Sequence, residues 1–138
     1  MYEKIIVAVD GSAHSGRAAK HGATIAKATG ASVDLLYVVD YDRSRPQEFE
    51  HVTKEELDSY IRDQLSEIFT VFSDMGIRPE LQIQFGEPGP AIVKFINSAG
   101  YDLAIVGSRG LNAFQEMVLG SVSHKVAKRA ECPVLLVK

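Results

Sequence analysis

The sequence predicts an α/β fold, a five-stranded and mostly parallel sheet with helices on both faces. Short apolar segments that suit buried strands alternate along the chain with longer segments that suit helices. The first of them, residues 5–9, is apolar on both alternating faces, as in strands that are covered on both sides. The 138 residues match the usual length of one domain, so residues 1–138 are expected to form a single unit.

The first strand, helix and second strand follow one another closely. After the strand at residues 5–9, Ser12 suits the N-cap of an Ala-rich helix that runs to Thr29. Gly30 suits the C-cap of this helix, because glycine tolerates the left-handed backbone found there. Residues 33–39 are then expected to form the second buried strand.

A polar stretch and an amphipathic helix come next. Residues 41–52 are interpreted as a surface loop. Thr53 lies three residues before Glu56, which is the spacing of a capping box. One helix is expected from there to Gly76, because its apolar residues recur at intervals of three and four: Leu57, Ile61, Leu65, Ile68, Phe72 and Met75.

The second half of the chain predicts three more strands. Residues 81–85 alternate apolar and polar, which indicates a strand nearer a sheet edge. A helix starting at Pro88 or Pro90 is expected to run through Ile96, and the fourth strand covers residues 103–106.

A long connection leads from the fourth strand to the last helix. It covers residues 107–119, and Gly120 opens a helix that reaches about Ala130. The fifth strand is expected at residues 132–137. This strand is apolar on both faces, and an open apolar edge strand invites pairing with another chain. A homodimer in antiparallel register through residues 132–137 is therefore predicted, unless residues 41–52 or the chain terminus cover the edge.

Composition narrows the function classes. The net charge of −3 argues against a general nucleic-acid binder, although a local basic patch would escape this test. Cys132 is the only cysteine, so no disulfide forms within the chain and a reducing compartment is expected. No apolar run is long enough for a membrane span. A cytoplasmic protein without nucleic-acid or membrane partners is the resulting expectation.

Two strand ends carry the candidate site, since ligands of open α/β sheets bind beyond the carboxyl ends of the strands. Asp10 follows the first strand, and a glycine-rich segment follows the fourth. Gly107 and Gly110 permit positive φ and close backbone approach, while Gly120 leaves room beside the first turn of the last helix. Such a turn suits a phosphate. Further donors are Ser108, Arg109, Ser121 and Ser123.

The spacing Gly107-x2-Gly110-x9-Gly120-Ser121 resembles the ATP-binding signature of the universal stress protein family. Three further segments resemble the same family: the opening Ile-Val-Ala-Val-Asp-Gly-Ser at 6–12, Gly-x-Pro at 86–88, and Cys-Pro-Val-Leu-Leu-Val at 132–137. The resemblance implies a Rossmann-like fold of the adenine-nucleotide alpha-hydrolase type and dimerisation through the last strand.

The resemblance also implies site residues and a cofactor. Asp10 and Val38 would lie beside the adenosine of ATP. The ribose and phosphates would be surrounded by Gly107, Ser108, Arg109, Gly110, Gly120, Ser121, Val122 and Ser123. Mg²⁺ or Mn²⁺ would be held mainly by the phosphates, without metal ligands from the protein. The sequence lacks Gly-x4-Gly-Lys-Ser/Thr, and no Gly-x-Gly-x-x-Gly follows the first strand, so P-loop and Rossmann dinucleotide sites are disfavoured.

Several assignments stay open at this point. Asp10 could cap the first helix, bind ligand, or do both, while Arg109 could be a solvated loop residue and Val38 only a strand residue.

The favoured function is a nucleotide-dependent switch or sensor in the stress response that acts on an unidentified partner protein. The alternatives are a slow ATPase or nucleotidyl or phosphoryl transferase, with Asp10 and Glu116 as the only candidate bases, and an interaction protein without ligand. AMP or ADP could also replace ATP.

Overall fold

The computed structural model describes residues 1–40, 52–109 and 120–138, and these contain five strands and five helices. The strands are β1 Lys4–Ala8, β2 Ser32–Val39, β3 Glu80–Phe85, β4 Leu103–Gly107 and β5 Val134–Val137. The helices are α1 Ala13–Thr29, α2 Lys54–Gln64, α3 Ser66–Asp74, α4 Pro88–Ser98 and α5 Ser121–Arg129. None of these helices is both long and apolar enough to cross a bilayer.

The strands form one sheet in the order β3-β2-β1-β4-β5, and every neighbouring pair is parallel. β1 lies at the centre, where Val7 pairs with Leu35 of β2 on one side and Ile105 of β4 on the other. The chain builds outward from β1 through β2 to β3, then crosses to the other side for β4 and β5. The strand order therefore reverses between β1 and β4, and their carboxyl ends flank the crevice where such sheets bind ligands.

Helices cover both faces of the sheet, as the sequence predicts. Ile5 and Val7 of β1 pack in the core formed with α1, α2 and α3, whereas Ile6 packs in a second core formed with α4 and α5. This division follows from the alternation of side chains along a strand. A five-stranded α/β sheet is thereby confirmed, and β3 and β5 are its two edge strands.

The predicted helix caps are present. The Ser12 hydroxyl accepts a hydrogen bond from the Ser15 N–H, and the Thr53 hydroxyl accepts one from the Glu56 N–H at 3.1 Å. Gly30 ends α1 with φ of 77°, in the left-handed region. Each cap satisfies backbone groups that a helix end leaves without intrahelical partners.

Several element bounds differ from the sequence prediction, and two of the differences are the division of one helix and the later start of the last strand. The single helix expected between Thr53 and Gly76 is divided at Leu65, whose backbone leaves helical geometry at φ −101° and ψ 15°. The apolar stripe continues across the break, so periodicity alone did not reveal it. The last strand begins at Val134 rather than Cys132. Pro133 has no N–H to donate to a ladder, which accounts for the later start. Of the predicted loop at 41–52, residues 41–51 lie outside the described residues.

A polar clasp closes the amino edge of the sheet, opposite the candidate site. Tyr101 is 7% exposed, and its hydroxyl donates to Asp34 Oδ2 at 2.6 Å. The Lys4 ammonium lies 4.6 Å from the centre of the Tyr101 ring. Burial of the phenol, followed by its hydrogen bond to Asp34, raises the pKa of Tyr101 above its usual value. The protonated phenol is therefore the form that the folded protein favours.

Tyr101→Phe is expected to lower the free energy of unfolding at neutral pH by about 1.5–3 kcal/mol, because it removes a hydrogen bond to a carboxylate. The wild-type advantage is fully present below pH about 10, the pKa of an unfolded tyrosine, and shrinks as the pH rises toward the folded-state value. Urea unfolding of both proteins across this range measures the difference. A difference that stays constant through alkaline pH would contradict the assigned role of the phenol.

Candidate functional site

Residues from four elements meet at the carboxyl edge of the sheet. Asp10 follows β1, Val38 lies next to the last residue of β2, and Arg109 follows β4 after Ser108. The last helix, α5, starts at Ser121. The parallel arrangement alone accounts for this convergence, since the carboxyl ends of parallel strands meet at one edge.

Two hydrogen bonds join the end of β4 to the start of α5. The Gly120 N–H donates to the Ser108 carbonyl at 2.8 Å, and the Ser123 hydroxyl donates to the Gly107 carbonyl at 2.6 Å. The first and last parts of the connection are thus held together. We call residues 107–109 and 120–123 the cradle, and the hydroxyl of Ser123, which is 3% exposed, holds its two parts together. Its expected contact with a phosphate stays a prediction.

The end of β4 is also joined to the edge strand. The Ser108 N–H donates to the Val137 carbonyl at 2.7 Å, in the parallel ladder between β4 and β5. Ser108 is buried, and this hydrogen bond links the cradle to β5.

Neighbouring backbone atoms lie so close to positions 107 and 120 that glycine suits both. Gly107 does not use the positive φ that glycine permits, since it is not among the positive-φ glycines of the described residues. A Cβ at Gly107 would lie 3.0 Å from backbone atoms of His14, so glycine lets α1 approach β4. At Gly120, which has φ of −62°, a Cβ would lie 3.2 Å from the Ser108 carbonyl oxygen. Gly110 lies outside the described residues.

Asp10 shapes the turn between β1 and α1. Its Oδ1 accepts a hydrogen bond from the Ser12 N–H at 2.8 Å, and its own N–H donates to Ser15 Oγ at 3.3 Å. Between them, Gly11 adopts φ of 83°, which favours glycine. Ser12 is thus the cap of α1, and Asp10 supports the turn that leads into the helix. Contact between Asp10 and a ligand stays a prediction.

The other predicted residues lie on the two sides of the crevice. Val38 is half-buried and packs in the core beside α4 and α5. Ser121 is exposed and Val122 half-buried at the start of α5, whose N-cap residue Gly120 offers no side chain. The N–H groups of this first turn lack intrahelical partners, so the helix presents donors and the positive end of its dipole.

Sequence reasoning missed two residues beside the cradle, His14 and Arg17. The sequence motifs singled out neither residue, whereas the first turn of α1 brings the backbone of His14 against Gly107. One Arg17 guanidinium nitrogen lies 2.6 Å from His14 Nδ1. The available signal was their spacing of three on a helix that starts at the same sheet edge.

Metal ligands from the protein are not apparent at the site. Among residues 1–40, 52–109 and 120–138, no group of three His, Cys, Asp or Glu side chains is placed to hold a metal ion. The donors at the cradle are N–H and O–H groups, which suit phosphate oxygens better than a bare cation. Coordination of Mg²⁺ or Mn²⁺ by phosphates stays a prediction, and Glu116 lies outside the described residues.

The fold and the crevice define an open, doubly wound α/β protein with a helix N-terminus directed at its switch point, an arrangement suited to phosphorylated ligands. The sequence profile described as "Universal stress protein family" matches residues 1–138. The chain therefore belongs to the universal stress protein family.

Individual relatives agree with this assignment. Universal stress protein MJ0531 of Methanocaldococcus jannaschii is 34% identical, over 100% of this chain and 83% of its own length. The solved structure of MJ0577, from the same organism, matches with a TM-score of 0.82 and 33% identity, covering 100% of this chain and 96% of that one. A universal stress protein solved in complex with cAMP matches with a TM-score of 0.73 and 28% identity, covering 99% and 97%.

Proposed function

We propose that the chain binds ATP at the crevice between β1 and β4 and acts in the cytoplasm as a nucleotide-dependent switch or sensor in the stress response. The start of α5 carries the proposal. Gly120 opens this helix without a capping side chain and is hydrogen-bonded to the end of β4. First-turn N–H groups, which lack intrahelical partners, and the helix dipole are directed at the point where strand order reverses, which favours an anionic group there.

The adenosine end is proposed to lie toward β2. Asp10 follows β1 and Val38 lies near the end of β2, which are the two strands on that side of the crevice. The cradle lies on the other side, at the end of β4. The Asp10 carboxylate, which accepts from the Ser12 N–H, would contact the adenosine as well. The relative solved with cAMP carries an adenine nucleotide, which supports adenosine as the class of ligand. AMP or ADP would use the same contacts at the adenosine end.

The phosphates are proposed to lie along the cradle, with Mg²⁺ or Mn²⁺ bound through them. The donors at the described part of the cradle are the hydroxyl of Ser121, the guanidinium of Arg109 and the first-turn N–H groups of α5. Charge-assisted hydrogen bonds of this kind contribute roughly 1.5–3 kcal/mol each when well placed. Gly110 is assigned to the same group on the strength of the family signature.

Switching is proposed to work through β5. Ser108 belongs to the cradle, and its N–H donates to the Val137 carbonyl. Nucleotide bound in the cradle would therefore shift the position of the edge strand β5. Leu136 on this strand is 36% exposed and presents an apolar side chain that a paired strand could cover. A second copy pairing along β5 would cover it and satisfy the open edge. A partner protein would then bind a different surface, one whose shape depends on the nucleotide state.

Hydrolysis of ATP is expected to be slow or absent. The Asp10 carboxylate is the candidate base within the described residues, and one of its oxygens is committed to the Ser12 N–H. Donors that bind the ground state and the transition state equally do not raise turnover. After long incubation with Mg²⁺, nucleotide extracted from the protein should return as ATP. Turnover at the roughly 1–1,000 per second typical of enzymes would favour the alternative of an ATPase or transferase.

Isothermal titration of nucleotide-free protein tests the proposed binding. ATP with Mg²⁺ should bind one molecule per chain, and GTP should bind far more weakly because the adenosine end selects the base. Nucleotide released from freshly purified protein by acid should likewise be an adenine nucleotide. Absence of ATP binding by protein that is shown to be folded and nucleotide-free would overturn the proposal.

A further inference from the structure

We propose that His14 and Arg17 extend the nucleotide site onto α1, where they contact the phosphate chain and couple nucleotide binding to proton uptake at His14. The inference rests on the proposed function and adds two residues to it. They were not singled out by the glycine signature, because they lie on the first helix rather than beside the last one.

The position of His14 is fixed by Gly107. A Cβ on Gly107 would lie 3.0 Å from the carbonyl carbon, the carbonyl oxygen and the Cβ of His14. The first turn of α1 therefore touches the backbone of the cradle directly. His14 is half-buried at this contact.

Arg17 contacts the imidazole ring of His14. Its Nε donates to the Lys138 carbonyl at 2.9 Å, and an Nη of the same guanidinium lies 2.6 Å from His14 Nδ1. Since arginine only donates, Nδ1 accepts this bond, and the neutral ring carries its proton on Nε2. A protonated ring would donate from both nitrogens and could no longer accept from Arg17. An anion that accepts from both cations would then hold them near each other.

The charges around the ring prepare it for such an anion. The charged groups that act on His14 are Arg17 on α1, Arg109 after β4 and Asp10 after β1. The pKa of His14 is lowered, chiefly by desolvation, then by the two guanidinium groups, while Asp10 opposes them. A phosphate placed among these cations would favour the imidazolium and raise the pKa in the complex.

The sign of the resulting pH dependence follows from linkage. The free protein holds the proton less tightly than the complex, so binding takes up a proton and affinity rises as pH falls through the bound-state pKa. Each unit by which phosphate raises the pKa of His14 is worth about tenfold in affinity. Adenosine carries no phosphate, and its binding should not depend on His14.

Titration calorimetry with ATP and with adenosine, at about pH 6 and about pH 8, tests this coupling, since histidine changes charge between these values. Wild-type protein should bind ATP about tenfold more tightly at the lower pH. His14→Gln should show a flat or reversed dependence, because ATP's own terminal phosphate gains a proton near pH 6. His21→Gln serves as the matched control, since His21 is an exposed histidine of the same helix and should behave like wild type.

Arg17→Gln should weaken ATP binding at both pH values and leave adenosine binding unchanged. A proton-uptake measurement on wild-type protein, made in two buffers of different ionisation enthalpy, does not depend on the folding of any variant. Absence of uptake, or a His14→Gln variant that keeps the wild-type pH ratio, would overturn the role of His14 while leaving ATP binding intact. Failure of ATP and adenosine alike to bind wild-type protein would overturn the proposed function together with this inference.

Discussion

Gly120→Val is expected to weaken ATP binding by about 100-fold, or roughly 2.7 kcal/mol, while the protein remains folded. A Cβ at Gly120 would lie 3.2 Å from the Ser108 carbonyl oxygen and 3.6 Å from Ser123 Oγ. The branched side chain must therefore push the start of α5 away from the end of β4. That displacement would misplace the donors of the first turn, and losing one or two charge-assisted bonds accounts for the expected magnitude.

The fold should tolerate this change because Gly120 lies at the site rather than in either hydrophobic core. Gly120→Ala should give a smaller loss in the same direction, since a lone methyl needs only a small shift. Gly16→Ala is the matched control, as a Cβ there meets nothing within 4 Å. Circular dichroism establishes folding, and calorimetry measures affinity. Wild-type affinity in a folded Gly120→Val protein would show that Gly120 has no part in nucleotide binding.

Leu136→Lys is expected to dissociate the proposed dimer, raising its Kd by about 100-fold or more. Leu136 is exposed on β5, and in a two-fold pairing of this strand its copies would lie close together in the interface. The substitution removes the burial of a leucine, worth about 1.5–3 kcal/mol, and brings two positive charges into the interface. Sedimentation at micromolar protein concentration, with and without ATP, measures the association.

Phe85→Lys provides the control for the opposite edge. Phe85 ends β3, the other edge strand, and is 47% exposed. The Phe85→Lys substitution should leave association of the chains unchanged if two copies pair along β5. Dissociation by Phe85→Lys alone would place the interface at β3. A wild-type protein that sediments as a monomer with and without ATP would show that β5 is not a dimer interface.

The fold was largely predictable because its strongest signals are local. Apolar runs such as residues 5–9 mark strands buried on both faces, and Ser12 and Thr53 mark helix starts through short-range hydrogen bonds. The break at Leu65 was not predictable, because the apolar stripe continues across it. Strand order was not predictable from periodicity either, since it depends on which strands pair and not on any one segment.

The candidate site was predictable in its location but not in its contacts. The glycine spacing marked the cradle, yet Gly107 is needed because α1 packs against it, and its φ is not positive. The contact joins residues 14 and 107, which lie far apart in the sequence, so no local pattern could reveal it. For the same reason, His14 and Arg17 became candidates only once the fold placed them beside β4.

Thermal unfolding of nucleotide-free protein, with and without ATP and Mg²⁺, tests nucleotide binding at the crevice most directly. A ligand that binds only the native state adds about 2.7 kcal/mol to the free energy of unfolding at a hundredfold excess over its Kd. For a domain of this size, that corresponds to a rise in Tm of roughly 10 °C. Gly120→Val measured in parallel should show a much smaller rise at the same ATP concentration. A wild-type Tm that millimolar ATP leaves unchanged would contradict the proposed site.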